Sequence, residues 1–282
     1  MLDLQSAAPS VVLRPFVRTY AERAVGGPEE IESVCMPRVE TILKFELGTP
    51  LEIVTPGNVL LPSPANVIVG AFGASTVRER LRPGLASFVI FFHPAGFTQL
   101  FGLPMALSTN AAHEGESVAG RELRLLHEQL CEASSFPERV AIVEAMLLRR
   151  VPRAAAPSAM MHAADGILRA RGACRIELLA QAYGHTSRHF ERQFVRSTGF
   201  SPKHFARIAR FQCAIDLKLM NPSRSWTSVA HELGYHDQMH LIHDFQKIAG
   251  RAPTEVIASL GDSRPQAPAA RPTTRAITSD SY

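Results

Sequence analysis

The spacing of apolar residues along this chain changes near residue 94. Before it they fall in short β-rich runs. Residues 41–47 and 51–54 flank Gly48, Thr49 and Pro50 and predict a hairpin, and residues 66–72 and 86–93 predict two more strands. After it the spacing turns helical. Residues 95–101 predict a short helix, and Leu123, Leu126 and Leu130 mark a longer one. Pro137 opens another, with Val140, Val143 and Leu147 on its buried face. This order predicts an α+β chain: a small β-barrel or sandwich with helices, then an all-α C-terminal domain.

The helical C-terminal third contains a repeat. Ile176, Leu179, Ala180 and Gly184, then Thr186, Phe190, Phe194, Gly199 and Pro202, recur as Trp226, Val229, Ala230 and Gly234, then Asp237, Leu241, Phe245, Gly250 and Pro253. The second copy has one extra turn residue, and a register kept over so many positions argues for a duplicated unit. Each copy starts with a short amphipathic helix closed by a glycine. Thr186 and Asp237 then serve as N-caps of a second helix. Pro202 and Pro253 suit the first turn of the helix that follows. Between the copies, residues 202–220 read as one helix with the stripe Ile208, Phe211, Ile215 and Leu219, stopped by Asn221 and Pro222.

A short helix, a tight turn and a second helix with a polar outer face fit the major groove of double-stranded DNA. Arg188 and Arg192 stand one turn apart on that face. A guanidinium matches guanine O6 and N7, an amide such as Gln238 matches adenine N6 and N7, and Met239 offers apolar contact to a thymine methyl. Glu191 either accepts from a cytosine amino group or holds a neighbouring arginine, and the second role is favoured. Ser187, Arg196, Lys203 and Arg207 suit phosphates, which position a protein without reading sequence. Joined by one helix, two such units would reach successive groove segments roughly 34 Å apart.

Residues 160–260 resemble the AraC/XylS-type DNA-binding domain, in which two helix-turn-helix units are joined by a long helix. The likeness is carried by Gly234, Tyr235, His236, Asp237 and Gln238, then Asp244 and Phe245, then Gly250, Arg251, Ala252 and Pro253. It implies that Arg188, Glu191 and Arg192 in one recognition helix, and Gln238, Met239 and His243 in the other, face the bases. His243 departs from the arginine common there, and Leu241 from the usual aromatic. Residues 91–104 resemble the cupin-like sensory domain of one AraC subgroup, which implies a regulatory domain that holds a small effector, forms a homodimer, or both. RNA polymerase is then the expected protein partner.

Composition constrains the rest. The net charge is +4 at pH 7, with the positive balance in residues 160–262, which suits phosphate contact without proving it. Length favours two domains, read as residues 1–153 and 160–260, with a linker at 154–159 and a disordered tail at 261–282. No apolar run predicts a membrane helix, and no signal-peptide pattern opens the chain. The four cysteines lack CxxC pairing, so a cytoplasmic protein with reduced thiols is expected. His231 and Glu232 are followed by a histidine at 236, one position too late for a zinc-protease helix, so neither a metal nor another cofactor is predicted. Phe88, Ile90 and Phe92 share a strand face read as core rather than pocket. His93 reads as structural, and Arg78, Arg80 and Arg82 as a solvated sheet edge. No catalytic constellation is found before residue 150, although a cupin-like enzyme with a helical partner-binding module is the alternative.

Overall fold

The computed structural model describes residues 2–55, 57–73, 76–151 and 156–261. Among these residues, ten strands form two antiparallel sheets. The first holds β1 (Leu2–Ala7), β2 (Val17–Val25), β9 (Ala86–Phe92), β4 (Ile42–Glu46), β7 (Asn66–Val69) and β10 (Ala112–Glu114), in that order. The second holds β3 (Ile31–Cys35), β8 (Val77–Leu81), β5 (Glu52–Val54) and β6 (Leu60–Pro62).

The first sheet is covered on both faces, which is why every residue of β4 is buried despite its lysine and glutamate. On one face Tyr20, Leu43, Phe45, Ile68, Phe88, Ile90 and Phe92 join a core with Met161 of the helical half and three nearby helices. These are α1 (Gly96–Phe101), α3 (Arg121–Glu132) and α4 (Phe136–Leu148), while the short α2 (Gly115–Ala119) packs beside α3. Phe88, Ile90 and Phe92 are therefore core, as their pattern suggested. The opposite face turns Arg23, Ile42, Lys44, Val67, Val89 and Phe91 toward the second sheet, and a cavity lies between the two.

Two expectations from the pattern fail here. The runs at 41–47 and 51–54 are both strands but not a hairpin: β4 pairs with β7 and β9, whereas β5 pairs with β6 and β8. At Gly48 the chain crosses between sheets so tightly that a Cβ would lie 2.4 Å from the Gly84 carbonyl oxygen. A glycine between two strand-like runs reads equally as a turn or a crossover. Arg78 and Arg80 are not on an edge either, because β8 is an inner strand. Their outward side chains pair with Asn58, Glu30 and Glu32, and Arg82 beyond the strand pairs with Glu30 and Glu52.

The C-terminal half is all helical: α5 (Ala159–Arg169), α6 (Ile176–Ala182), α7 (Ser187–Thr198), α8 (Pro202–Met220), α9 (Trp226–Glu232), α10 (Gln238–Ala249) and α11 (Pro253–Gly261). Of the expected linker, residues 154 and 155 lie outside the described residues, as does the tail from 262 onward. Among the described residues, no helix is long and apolar enough to cross a membrane.

The β-domain packs on this half at several places, with Ala71 in the first helical cluster, Met161 in the β-domain core and residues 34–41 reaching both helical clusters. Val39 enters the apolar cluster of α5, α7 and the start of α8, while Val34 and Met36 enter that of α9, α10, α11 and the rest of α8. Polar ties reinforce the contact. Thr98 Oγ1 donates to the Ser197 carbonyl at 2.9 Å, Thr109 Oγ1 to that of Gly199 at 2.8 Å, and Gln212 Nε2 to Glu40 Oε2 at 3.3 Å.

Candidate nucleic-acid interface

Each unit of the repeat is built by the same local rules. In the first, Thr186 Oγ1 accepts from the His189 amide at 3.3 Å and starts α7. In the second, Asp237 Oδ1 accepts from the His240 amide at 2.7 Å and starts α10. That amide bond, with His236 beside it, holds the Asp237 carboxyl below the usual range. The turns before these caps need a left-handed residue, and glycine supplies it at Gly184 (φ 68°) and Gly234 (φ 69°). One helix unites the units, α8 giving Phe205 and Ile208 to the first core and Phe211, Ala214 and Ile215 to the second. Leu219, expected to extend this stripe, is 49% exposed and lines the cavity instead.

In both units the inner face of the second helix is fully buried, through Phe190 and Phe194 in α7 and Leu241 and Phe245 in α10. The outer face of α7 exposes Ser187, Arg188, Glu191, Arg192 and Arg196. Arg192 Nη2 lies 3.2 Å from His189 Nδ1 rather than on Glu191. On α10, Met239 and His243 are exposed and Gln238 is half-buried. Thr227 Oγ1 of α9 donates to Gln238 Oε1 at 2.7 Å, which restrains the side-chain amide. Such an anchored amide is suited to reading a base edge.

The phosphate candidates divide. Arg196 and Lys203 are exposed, and Lys203 lies only loosely near Glu177, at 3.9 Å. Arg207 is committed instead to Asp244 of α10 through Nε and Nη2, at 3.1 and 2.8 Å. It ties the linking helix to the second recognition helix. Lys247 is exposed as well, and the offset of 51 that relates the recognition helices maps Arg196 onto it. Elsewhere Arg171 and Arg224 converge on Glu232 and brace α9. Although burial would raise the Glu232 pKa, these two guanidiniums lower it. Among the described residues no group of three or more metal-binding side chains comes together.

A family model described as a helix-turn-helix domain matches residues 179–259. No curated protein matches the chain. Among solved structures, ToxT from Vibrio cholerae O395 is similar at 10% identity, covering 92% of this chain and 97% of that one, with a TM-score of 0.46. ToxT bound to (E)-4-(8-methylnaphthalen-1-yl)but-3-enoic acid is similar at 9% identity, covering 92% and 98%, also with a TM-score of 0.46. The AraC-like transcriptional activator CuxR is similar at 11% identity, covering 86% and 80%, with a TM-score of 0.26.

Proposed function

We propose that residues 179–259, which match a model described as a helix-turn-helix domain, form a tandem DNA-binding domain of the AraC/XylS type, and that the whole chain is a cytoplasmic, sequence-specific transcriptional regulator whose β-domain senses a small effector. The observation that carries the reading is the pairing of two capped recognition helices, each with a polar outer face, across one 19-residue helix. A solvated helical bundle does not require that repeated arrangement. In this reading Arg188 and Arg192 read one half-element, and Gln238, Met239 and His243 read the other, with Glu191 setting the arginines' environment. Ser187, Arg196 and Lys203 grip phosphates.

Output follows from promoter occupancy and contact with RNA polymerase, with self-association through the β-domain available to place two chains on adjacent sites. Supporting control by the β-domain, residues 34–41 reach the cores of both reading units, so a change there can alter how the two heads are presented. The helix-turn-helix match favours this reading over an enzyme with a helical partner module.

Selection from random double-stranded DNA with full-length protein at physiological salt tests it. The expected result is a bipartite motif with half-elements about one helical turn apart. Binding governed by salt alone, with no motif from either the full chain or residues 154–282, would overturn it.

A further inference from the structure

We infer that the second reading head meets DNA with charge it acquires on contact: His236, His240 and His243 take up protons as α10 approaches phosphate, so its grip strengthens as pH falls while that of the first head does not. This rests on the DNA-binding reading above and concerns the regulation of that same interface.

The two recognition helices differ in fixed charge. On α7, Arg188, Arg192 and Arg196 are exposed against the single carboxylate of Glu191. On α10 and its cap, Lys247 stands exposed against Asp237, so the fixed charges of that outer face cancel. Asp244 adds nothing to the face, being buried on Arg207. A polyanion is gripped by cations, and what this head exposes beside Lys247 is His236, His240 and His243. The offset of 51 places His243 at the position that Arg192 holds in the first unit.

Histidines recur at that offset too, His185 with His236 and His189 with His240, but the two pairs serve differently. His185 and His189 are half-buried, with ring centroids 4.7 Å apart, and Arg192 Nη2 lies 3.2 Å from His189 Nδ1. Arginine can only donate, so that ring nitrogen accepts and carries no proton. The second set faces outward. His236 Nδ1 lies 3.1 Å from Asp237 Oδ2, a contact that becomes an ion pair when the ring is charged and masks the carboxylate that would repel phosphate. His240 packs edge-on to Tyr235, with centroids 5.3 Å apart. His240 and His243 border one shallow hollow on the outer face of α10, together with Met239 and Gln246.

The charged groups of neighbouring elements are engaged elsewhere. Arg210 of α8 covers the Tyr235 ring, and Arg207 of α8 holds Asp244. Glu232 of α9 is shared by Arg171 and Arg224, and Glu255 of α11 accepts from the Ala252 amide. An imidazole gains its charge between about pH 8 and 5. In the free protein the positive end of the α10 dipole opposes charge on His236 and His240. A phosphate beside the rings reverses that balance and favours the charged form. Protons therefore enter as DNA docks, and by reciprocity DNA affinity rises with proton concentration. The guanidiniums of α7 are charged throughout, so the first head gains nothing.

The test measures affinity of the full chain for the selected bipartite duplex at pH 6 and pH 8, with ionic strength held constant. Affinity should rise about tenfold from pH 8 to pH 6. The half-element read by α10 is the one whose readout Gln238→Ala relaxes. Scrambling it should remove the rise, and scrambling the other should preserve it. His243→Arg should bind tighter than the unaltered protein at pH 8 and show a smaller rise. His236→Gln, His240→Gln and His243→Gln together should abolish the rise. Equal affinity at both pH values, or a rise that persists in the triple variant or without the α10 half-element, overturns the proposal. If the triple variant does not fold, the scrambled duplexes and His243→Arg decide it by the same readings. A motif bound equally at both pH values removes the proton linkage alone, whereas no sequence-specific binding at either pH removes the regulator reading with it.

Discussion

Arg207 of the linking helix and Asp244 of the second recognition helix form a two-nitrogen contact on one carboxylate oxygen, with the Asp244 side chain only 7% exposed. A surface arginine that touches phosphate and one that fixes a helix differ in what their loss does. Arg207→Ala strands a buried carboxylate, so it should destabilise the chain by roughly 2–3 kcal/mol, between the values for exposed and buried pairs. Urea unfolding measures this directly. A variant of unchanged stability, whose DNA affinity loses about one unit of salt slope, would return Arg207 to the phosphate role.

Arg188 projects from α7 into solvent, and Gln238 is held by Thr227. Arg188→Ala and Gln238→Ala should each weaken binding to the selected DNA site by about 1–3 kcal/mol while leaving unfolding and random-DNA affinity unchanged. Thr227→Val frees the Gln238 amide, so it should relax discrimination at the base read by Gln238. In a Gln238→Ala background it should then add nothing. Additive losses in that double-mutant cycle would show that Thr227 acts elsewhere.

Much of this interface could be read from sequence because its rules are local. Caps at Thr186 and Asp237, glycines in the turns and apolar spacing in α7 and α10 need no tertiary information, and the structure places each as read. Residues 34–41 carried no such signal. Their importance lies in where Met36 and Val39 land, on two cores remote in sequence, and no period encodes that. The same holds for Arg207, whose partner is 37 positions away. The assignment of β4 and β5 to different sheets likewise depends on long-range pairing, since both runs look equally strand-like. In β9 alternation separated the two faces correctly, yet it could not show that Val89 and Phe91 would face a cavity while Phe88 and Ile90 filled the core.

Met36 and Val39 lie on one segment but belong to different cores. Met36→Ala should lower stability by about 2–3 kcal/mol and raise amide exchange chiefly in α9 to α11. Val39→Ala should act more weakly and chiefly on α5 and α7. Hydrogen exchange resolved by segment separates the two. Identical patterns from both variants would mean that the segment acts as a single lid rather than as a bridge between units.

Asp216 lies on α8 where the β-domain meets it. Burial, and secondarily the nearby charge of Glu40, push its pKa up to about 6. A carboxyl whose pKa is raised on folding contributes its full stability below its unfolded value near 4, and that contribution is lost as pH rises through about 6. At pH 7 the ionised group therefore costs the fold up to about 3 kcal/mol. Glu40 and Glu79, whose values are lowered, act in the opposite sense as pH falls, so the comparison must be with a variant lacking only Asp216. Asp216→Asn should be more stable than the unaltered protein at pH 7, with the gap closing toward pH 4, measured by urea unfolding at both ends of that range. A constant gap across the range would show that Asp216 is ionised throughout and that the contact of α8 with the β-domain does not strain it.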